Sequence, residues 1–125
     1  MPTAQVVSET AIRKPRVDLG VQKVTWSWTS TDAGVVTIAS TQELDGEIVR
    51  VEVIPGTSTV QPTDLFDVTL TNPAGYDQLY GQGANLSNAV TTVIRDVGYA
   101  ASEKLTLNVA GAGDANSGVV VVYLV

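Results

Sequence analysis

The sequence predicts a single-domain all-β protein, a β-sandwich or jelly-roll-like barrel, preceded by an extended N-terminal arm. Three observations predict it. From Val21 onward large and small residues alternate with period two, turn signals containing glycine or proline separate the alternating runs, and no segment carries a convincing helical pattern. The boundary falls after residue 20, with residues 1–20 as the arm and 21–125 as the sandwich. A chain of 125 residues, 44% hydrophobic, is long enough to bury a core without disulfides or metal.

The strands follow in order. In Val24-Thr25-Trp26-Ser27-Trp28-Thr29 the large side chains share one face and the small hydroxyls the other, as a half-buried strand requires. Residues 34–41 are a second β-rich run. Asp45-Gly46 is a dipeptide suited to the positive φ angles of a tight hairpin, and predicts one there. Val49, Val51 and Val53 then oppose Arg50 and Glu52 until Pro55-Gly56 ends the run. Phe66, Val68 and Leu70 alternate with Asp67, Thr69 and Thr71, and Asn72-Pro73-Ala74-Gly75 predicts a turn. Residues 76–88 are interrupted by glycine and give no assignable element. Val90, Val93, Ile94 and Val97 have helical spacing, but Thr91-Thr92-Val93-Ile94 are all β-branched and predict a strand. Leu105, Leu107 and Val109 mark another strand. The last, residues 119–125, is apolar on both faces, so it belongs in the centre of a sheet or against another subunit.

Composition excludes several kinds of chemistry. Cysteine and histidine are both absent, which removes disulfides, thiolate metal sites, the commonest general base and the commonest transition-metal ligand. No signal peptide is visible at the start, and the longest purely apolar run is too short to span a membrane. The net charge is −6, and it is uneven. Residues 1–20 hold Arg13, Lys14 and Arg16 against Glu9 and Asp18, while residues 21–125 hold four basic and eleven acidic residues. An acidic body argues against nucleic acid as partner. The basic cluster beside Pro15 reads as a contact arm or as a solvated terminus.

The remaining constellations are few. Asp64 and Asp67, or Asp45 and Glu47, are carboxylate pairs on paper, but residues three apart on a strand face opposite ways, and acids beside a turn glycine serve turn geometry. Asp114-Ala115-Asn116-Ser117-Gly118 resembles the opening of a calcium loop without its closing glutamate, and reads as a turn. Gly81-Gln82-Gly83 lacks the third glycine of a dinucleotide fingerprint, and Asn85-Leu86-Ser87 is a short glycosylation match. Nothing implies a catalytic residue, a metal or a cofactor. Trp26 and Trp28 share a strand face, as core residues, subunit-interface residues or an exposed carbohydrate platform. Tyr76, Tyr80 and Tyr99 fall in glycine-rich, loop-like sequence, where they serve an interface or ordinary loop packing.

The stretch Asp64-Leu65-Phe66-Asp67-Val68-Thr69-Leu70-Thr71-Asn72-Pro73-Ala74-Gly75-Tyr76-Asp77, with Gly81–Ser87 and the ending Leu105–Gly113 and Ser117–Leu124, resembles small virion structural proteins of tailed bacteriophages. The resemblance covers about residues 46–125. It implies a decoration, or cement, protein on the outer capsid surface, made in the bacterial cytoplasm, with the major capsid protein as partner. It further implies a homo-oligomer, a trimer first. The arm residues Arg13, Lys14 and Arg16 are the expected capsid contact, and Trp26, Trp28, Tyr76 and Tyr80 are the candidate interface aromatics. The competing expectation is a carbohydrate- or receptor-binding module of a phage tail or fibre.

Overall fold

A computed structural model of the chain describes residues 21–125 in full and residues 6–12 as backbone. Among the described residues nine strands form two antiparallel sheets, an all-β sandwich and not a closed barrel. The strands are β1 (Val6–Ile12), β2 (Gln22–Thr29), β3 (Val36–Ala39), β4 (Leu44–Pro55), β5 (Asp67–Thr71), β6 (Thr92–Ile94), β7 (Tyr99–Glu103), β8 (Thr106–Ala110) and β9 (Ser117–Leu124). The larger sheet runs β1-β2-β9-β4-β6, with β7 beside the first half of β4; the smaller runs β3-β8-β5. β1 lies within the segment read as an arm and pairs with β2 from Val6 opposite Thr29 to Ile12 opposite Lys23. Arg13, Lys14 and Arg16 lie outside the described residues.

The period-two pattern of the sequence becomes the two faces of each sheet. Val24, Trp26 and Trp28 of β2, Val51 and Val53 of β4, and Val120, Val122 and Leu124 of β9 face inward and are buried. From the other sheet Val36, Val68, Leu70, Leu107 and Val109 meet them. Trp28 joins the layers, its ring 6.3 Å from that of Phe66 and tilted by 50°. Its cross-strand partner is Gly118, where an added Cβ would come within 2.7 Å of the indole. A glycine opposite a tryptophan is how β9 makes room for the largest side chain in the core.

β9 lies between β2 and β4, the central position its two apolar faces predict. Inward Val120 and Val122 are joined by outward-facing Val121, which is only 6% exposed.

One local expectation needs correction. Asp45-Gly46 is not a hairpin turn: β4 continues through it, with a register shift against β7 beside Asp45, and the positive φ of Gly46, 135°, falls within the strand. Glycine is required there for closeness, because a Cβ would strike the backbone carbonyl of Val125, which Glu47 N–H meets at 3.0 Å. The reversal occurs earlier, where the chain leaves one sheet for the other. Buried Ser40 holds that crossover, donating its hydroxyl to the Gln42 carbonyl (2.7 Å) and accepting from Leu105 N–H (3.3 Å). β7 is a strand that the sequence did not predict. Its sequence, Tyr-Ala-Ala-Ser-Glu, has no apolar alternation beyond Ala100, so it gives no period to read.

Candidate functional site

Residues 72–91 contain no strand, yet their backbone is well satisfied, and three carboxylates explain it. Asp64 accepts from Asn88 N–H (3.1 Å), and Asp67 from Asn85 N–H (2.8 Å). Asp77 accepts through one oxygen from Leu70 and Leu79 N–H (3.1 and 2.9 Å) and through the other from Gly81 N–H (3.0 Å). Backbone bonds to Phe66, Val68 and Leu70 then lay this loop along the outer edge of β5. Gly83 permits the approach, since a Cβ there would collide with the Val68 carbonyl. The acids singled out in the sequence as a carboxylate pair, Asp64 and Asp67, thus serve as loop anchors.

This loop presents tyrosines. Tyr80 adopts φ 54° and Gly81 φ 78°, two successive left-handed residues closed by Gln82 N–H donating to the Leu79 carbonyl at 3.0 Å. A left-handed tyrosine costs on the order of 1 kcal/mol, and Asp77, bonded to the amides on either side of it, holds it there. The side chain left outside is 63% exposed. Asn72 closes the preceding turn, accepting from Tyr76 N–H at 2.9 Å, and Tyr76 is 71% exposed.

Gln78 ties this loop to a third tyrosine. Its side chain is 6% exposed, accepts from Tyr99 N–H (3.2 Å) and donates to the Tyr76 carbonyl (3.3 Å). Its backbone carbonyl accepts from Gly98 N–H at 2.8 Å. Gly98 is bare where a Cβ would strike the Gln78 amide oxygen and lie 3.1 Å from the Tyr80 hydroxyl. Gln82 adds a bond from its amide to the Asp96 carbonyl (3.2 Å). One buried amide therefore bonds the backbones of two exposed tyrosines, Tyr76 and Tyr99, while Asp77 holds that of Tyr80.

Between Tyr80 and Tyr99 lies an open depression of about 430 Å³, floored by Val97 and Gly98 and bounded by Asp45 and Glu47 of β4. Glu47 stands opposite Tyr99 in the β4–β7 register, so the two share a sheet face. A second depression, of about 330 Å³, shares Glu47 and Val97 with the first and adds Arg95 and Asp96. Both lie where β4 changes partner: it pairs β7 up to Glu47 and β6 from Val51, and its register against β9 shifts between Ile48 and Arg50.

Beyond the shift, the outer face of the larger sheet carries a polar row. Glu52 accepts from Arg50 (2.7 and 3.0 Å) and from the Tyr123 hydroxyl (3.2 Å), while the Lys23 ammonium sits 5.8 Å from the Tyr123 ring centre. The Arg50 bond holds the Glu52 carboxyl below its ordinary range. Burial first, and then the bond to Glu52, raise the Tyr123 hydroxyl above its own.

Of the sequence candidates, Tyr76 and Tyr80 are exposed, and only Tyr80 lines the groove. Trp26 and Trp28 take the core alternative: at 0% and 1% exposure they have no surface to offer a partner or a sugar. Sequence reasoning missed Asp77, Gln78 and Gly98. A lone glutamine between two tyrosines carries no motif, although the left-handed Tyr-Gly pair is a turn signal in hindsight. Among the described residues no group of three acidic or other metal-binding side chains comes together. No family model, curated protein or solved structure matches the chain.

Proposed function

We propose that the chain is a structural virion protein that binds the outer surface of a bacteriophage capsid and stabilises it as a decoration protein, without catalysis. The observation that carries a binding role is the tyrosine surface. Tyr76, Tyr80 and Tyr99 are exposed, yet their backbones are fixed by Asp77 and Gln78, so little order remains to be gained on docking. Tyrosine offers large amphipathic contact area at low conformational cost, which is why it is enriched in protein interfaces. Asp64, Asp67 and Asp77 are engaged with backbone amides, consistent with a scaffold role for the acids. The capsid address rests on the resemblance over residues 46–125. In this reading the major capsid protein is the partner, Arg13, Lys14 and Arg16 add contacts to it, and the chain acts as a homo-oligomer, a trimer first.

Adding the purified protein to expanded heads that lack it tests the proposal. Co-sedimentation and a higher rupture temperature are expected; absence of both overturns it. The basic residues are best tested as Arg13→Ser, Lys14→Ser and Arg16→Ser together. Deleting residues 1–20 would also remove β1 and bare the edge of β2.

A carbohydrate- or receptor-binding role on a tail or fibre is the second reading, favoured by aromatic side chains flanking an open depression. Its site would be Tyr80 and Tyr99, not the tryptophans. Binding of a glycan that is lost on Tyr99→Ala, with the fold intact, would select it.

A further inference from the structure

We infer that the depression between Tyr80 and Tyr99 is a docking groove for an extended, basic segment of the partner protein. The inference rests on the reading of the chain as a protein-binding module and names the chemistry its partner presents. Four features of the groove carry it. The walls are two aromatic faces, 63% and 59% exposed, whose backbones are locked by Asp77 and Gln78. The floor is Val97 and Gly98, apolar and free of a projecting side chain at the glycine. Glu47 stands at the rim, and among the described residues no lysine or arginine lines this depression. The whole chain is acidic, at −6.

That set selects a cation. Tyrosine faces attract lysine and arginine through the ring quadrupole, and the aliphatic stem of either side chain packs on the same ring. The Glu47 carboxylate at the rim receives the charged head. A neutral sugar could stack on the same rings but would gain no charge pairing from Glu47, and that pairing is what favours the basic segment. An extended segment fits better than a helix, since alternate residues of a strand project the same way about 7 Å apart and can address two tyrosines in succession.

The neighbouring edge explains why the segment is read through its side chains. On the far side of β7, Tyr99 N–H is already bonded to Gln78 and Ala101 N–H to Glu103 (3.3 Å). A partner strand finds these two donors occupied.

The test uses a labelled hexapeptide alternating serine with arginine, its glutamate counterpart, and a neutral oligosaccharide, each titrated into the full chain by fluorescence anisotropy. The arginine peptide is expected to bind, to weaken more than threefold between low and physiological salt, and to lose at least tenfold in affinity with Glu47→Lys. Tyr80→Asn is expected to do the same while folding normally, because asparagine accepts the left-handed backbone. Thermal melting of both variants checks that they fold. Absence of arginine-peptide binding, or unchanged binding in both folded variants, overturns the groove. Oligosaccharide binding in its place overturns the basic segment in favour of a glycan. Co-sedimentation of the same variants with expanded heads separates the two levels. Retained head binding by variants that fail with the peptide leaves the capsid reading standing and removes the groove from it. Loss of both supports the inference, and wild-type protein that never binds heads overturns the wider reading independently.

Discussion

At the scale of single residues, the most consequential side chain is one that no motif marks. Gln78 is buried, and both ends of its amide are used, one accepting from Tyr99 and the other donating to Tyr76. Gln78→Leu keeps the volume and leaves the Tyr99 N–H without its acceptor, a loss of about 1–3 kcal/mol. The expected result is a lower melting temperature together with altered Tyr99 and Tyr80 resonances in an NMR spectrum. A variant with unchanged tyrosine signals would show that the amide does not set the groove. Glu52 gives a prediction in pH. Its folded carboxyl titrates below the ordinary value of 4.5 because Arg50, and then Tyr123, favour the ionised form. Its contribution is therefore complete above the unfolded value and is lost as pH falls through the lower, folded one. Glu52→Gln should be less stable than the parent at pH 7, with the gap closing below pH 4.5 in denaturant titrations. The pair is partly exposed, so the gap is small and shrinks with salt. Tyr123 works in the opposite direction: its hydroxyl is raised above 10, so its contribution is present below that value and fades at higher pH.

At the scale of elements, legibility followed periodicity. β2, β4, β5 and β8 alternate in sequence, β9 is apolar on both faces, and all five stand as strands in the structure. Burial of one face is what makes such a strand visible, because it forces the side chains into two classes. β7 is edge-lying and made of small residues, so no such constraint shaped it. Asp45-Gly46 misled for a related reason: its glycine answers a close backbone approach from Val125, a contact 79 positions away that no local window contains. The tyrosine groove was half legible. Tyr76, Tyr80 and Tyr99 stand out as aromatics in glycine-rich sequence, but their spacing depends on Gln78 reaching across to the β6–β7 turn. The edge of β7 carries its own protection. Glu103 occupies the outward Ala101 N–H, and Ser102 adopts φ 53°, turning the edge away from regular pairing. Glu103→Ala should free that donor, and the expected outcome is concentration-dependent self-association by analytical ultracentrifugation that the parent lacks under the same conditions. Equal sedimentation of the two would assign the edge's protection to the Ser102 kink alone.

At the scale of the whole molecule, stability depends on a strand that is the last to be reached along the chain. β9 pairs with β2 on one side and β4 on the other, and it brings Val120, Val122 and Leu124 into the core. Residues 46–125 span β4 to β9, yet the larger sheet closes only when β9 also meets β2, which precedes them. Most of the sheet's bonds therefore join residues far apart in sequence, and an all-β topology of this kind folds slowly, in about milliseconds to seconds. Without residues 117–125 the inner edges of β2 and β4 have no partner, and Trp28 loses the strand against which Gly118 lets it lie. Burying each of the missing valine and leucine side chains is worth about 1.5–3 kcal/mol, which together rivals the whole stability of a small domain. A chain ending at Asn116 should accordingly be unfolded, with a collapsed NMR dispersion and no cooperative melt. A synthetic peptide of residues 116–125 should restore both when added in excess, since the slot between β2 and β4 is specified on both sides. A truncated chain that melts cooperatively on its own would show instead that β2, β4 and the smaller sheet form an independent core, with β9 docking onto it as a late addition.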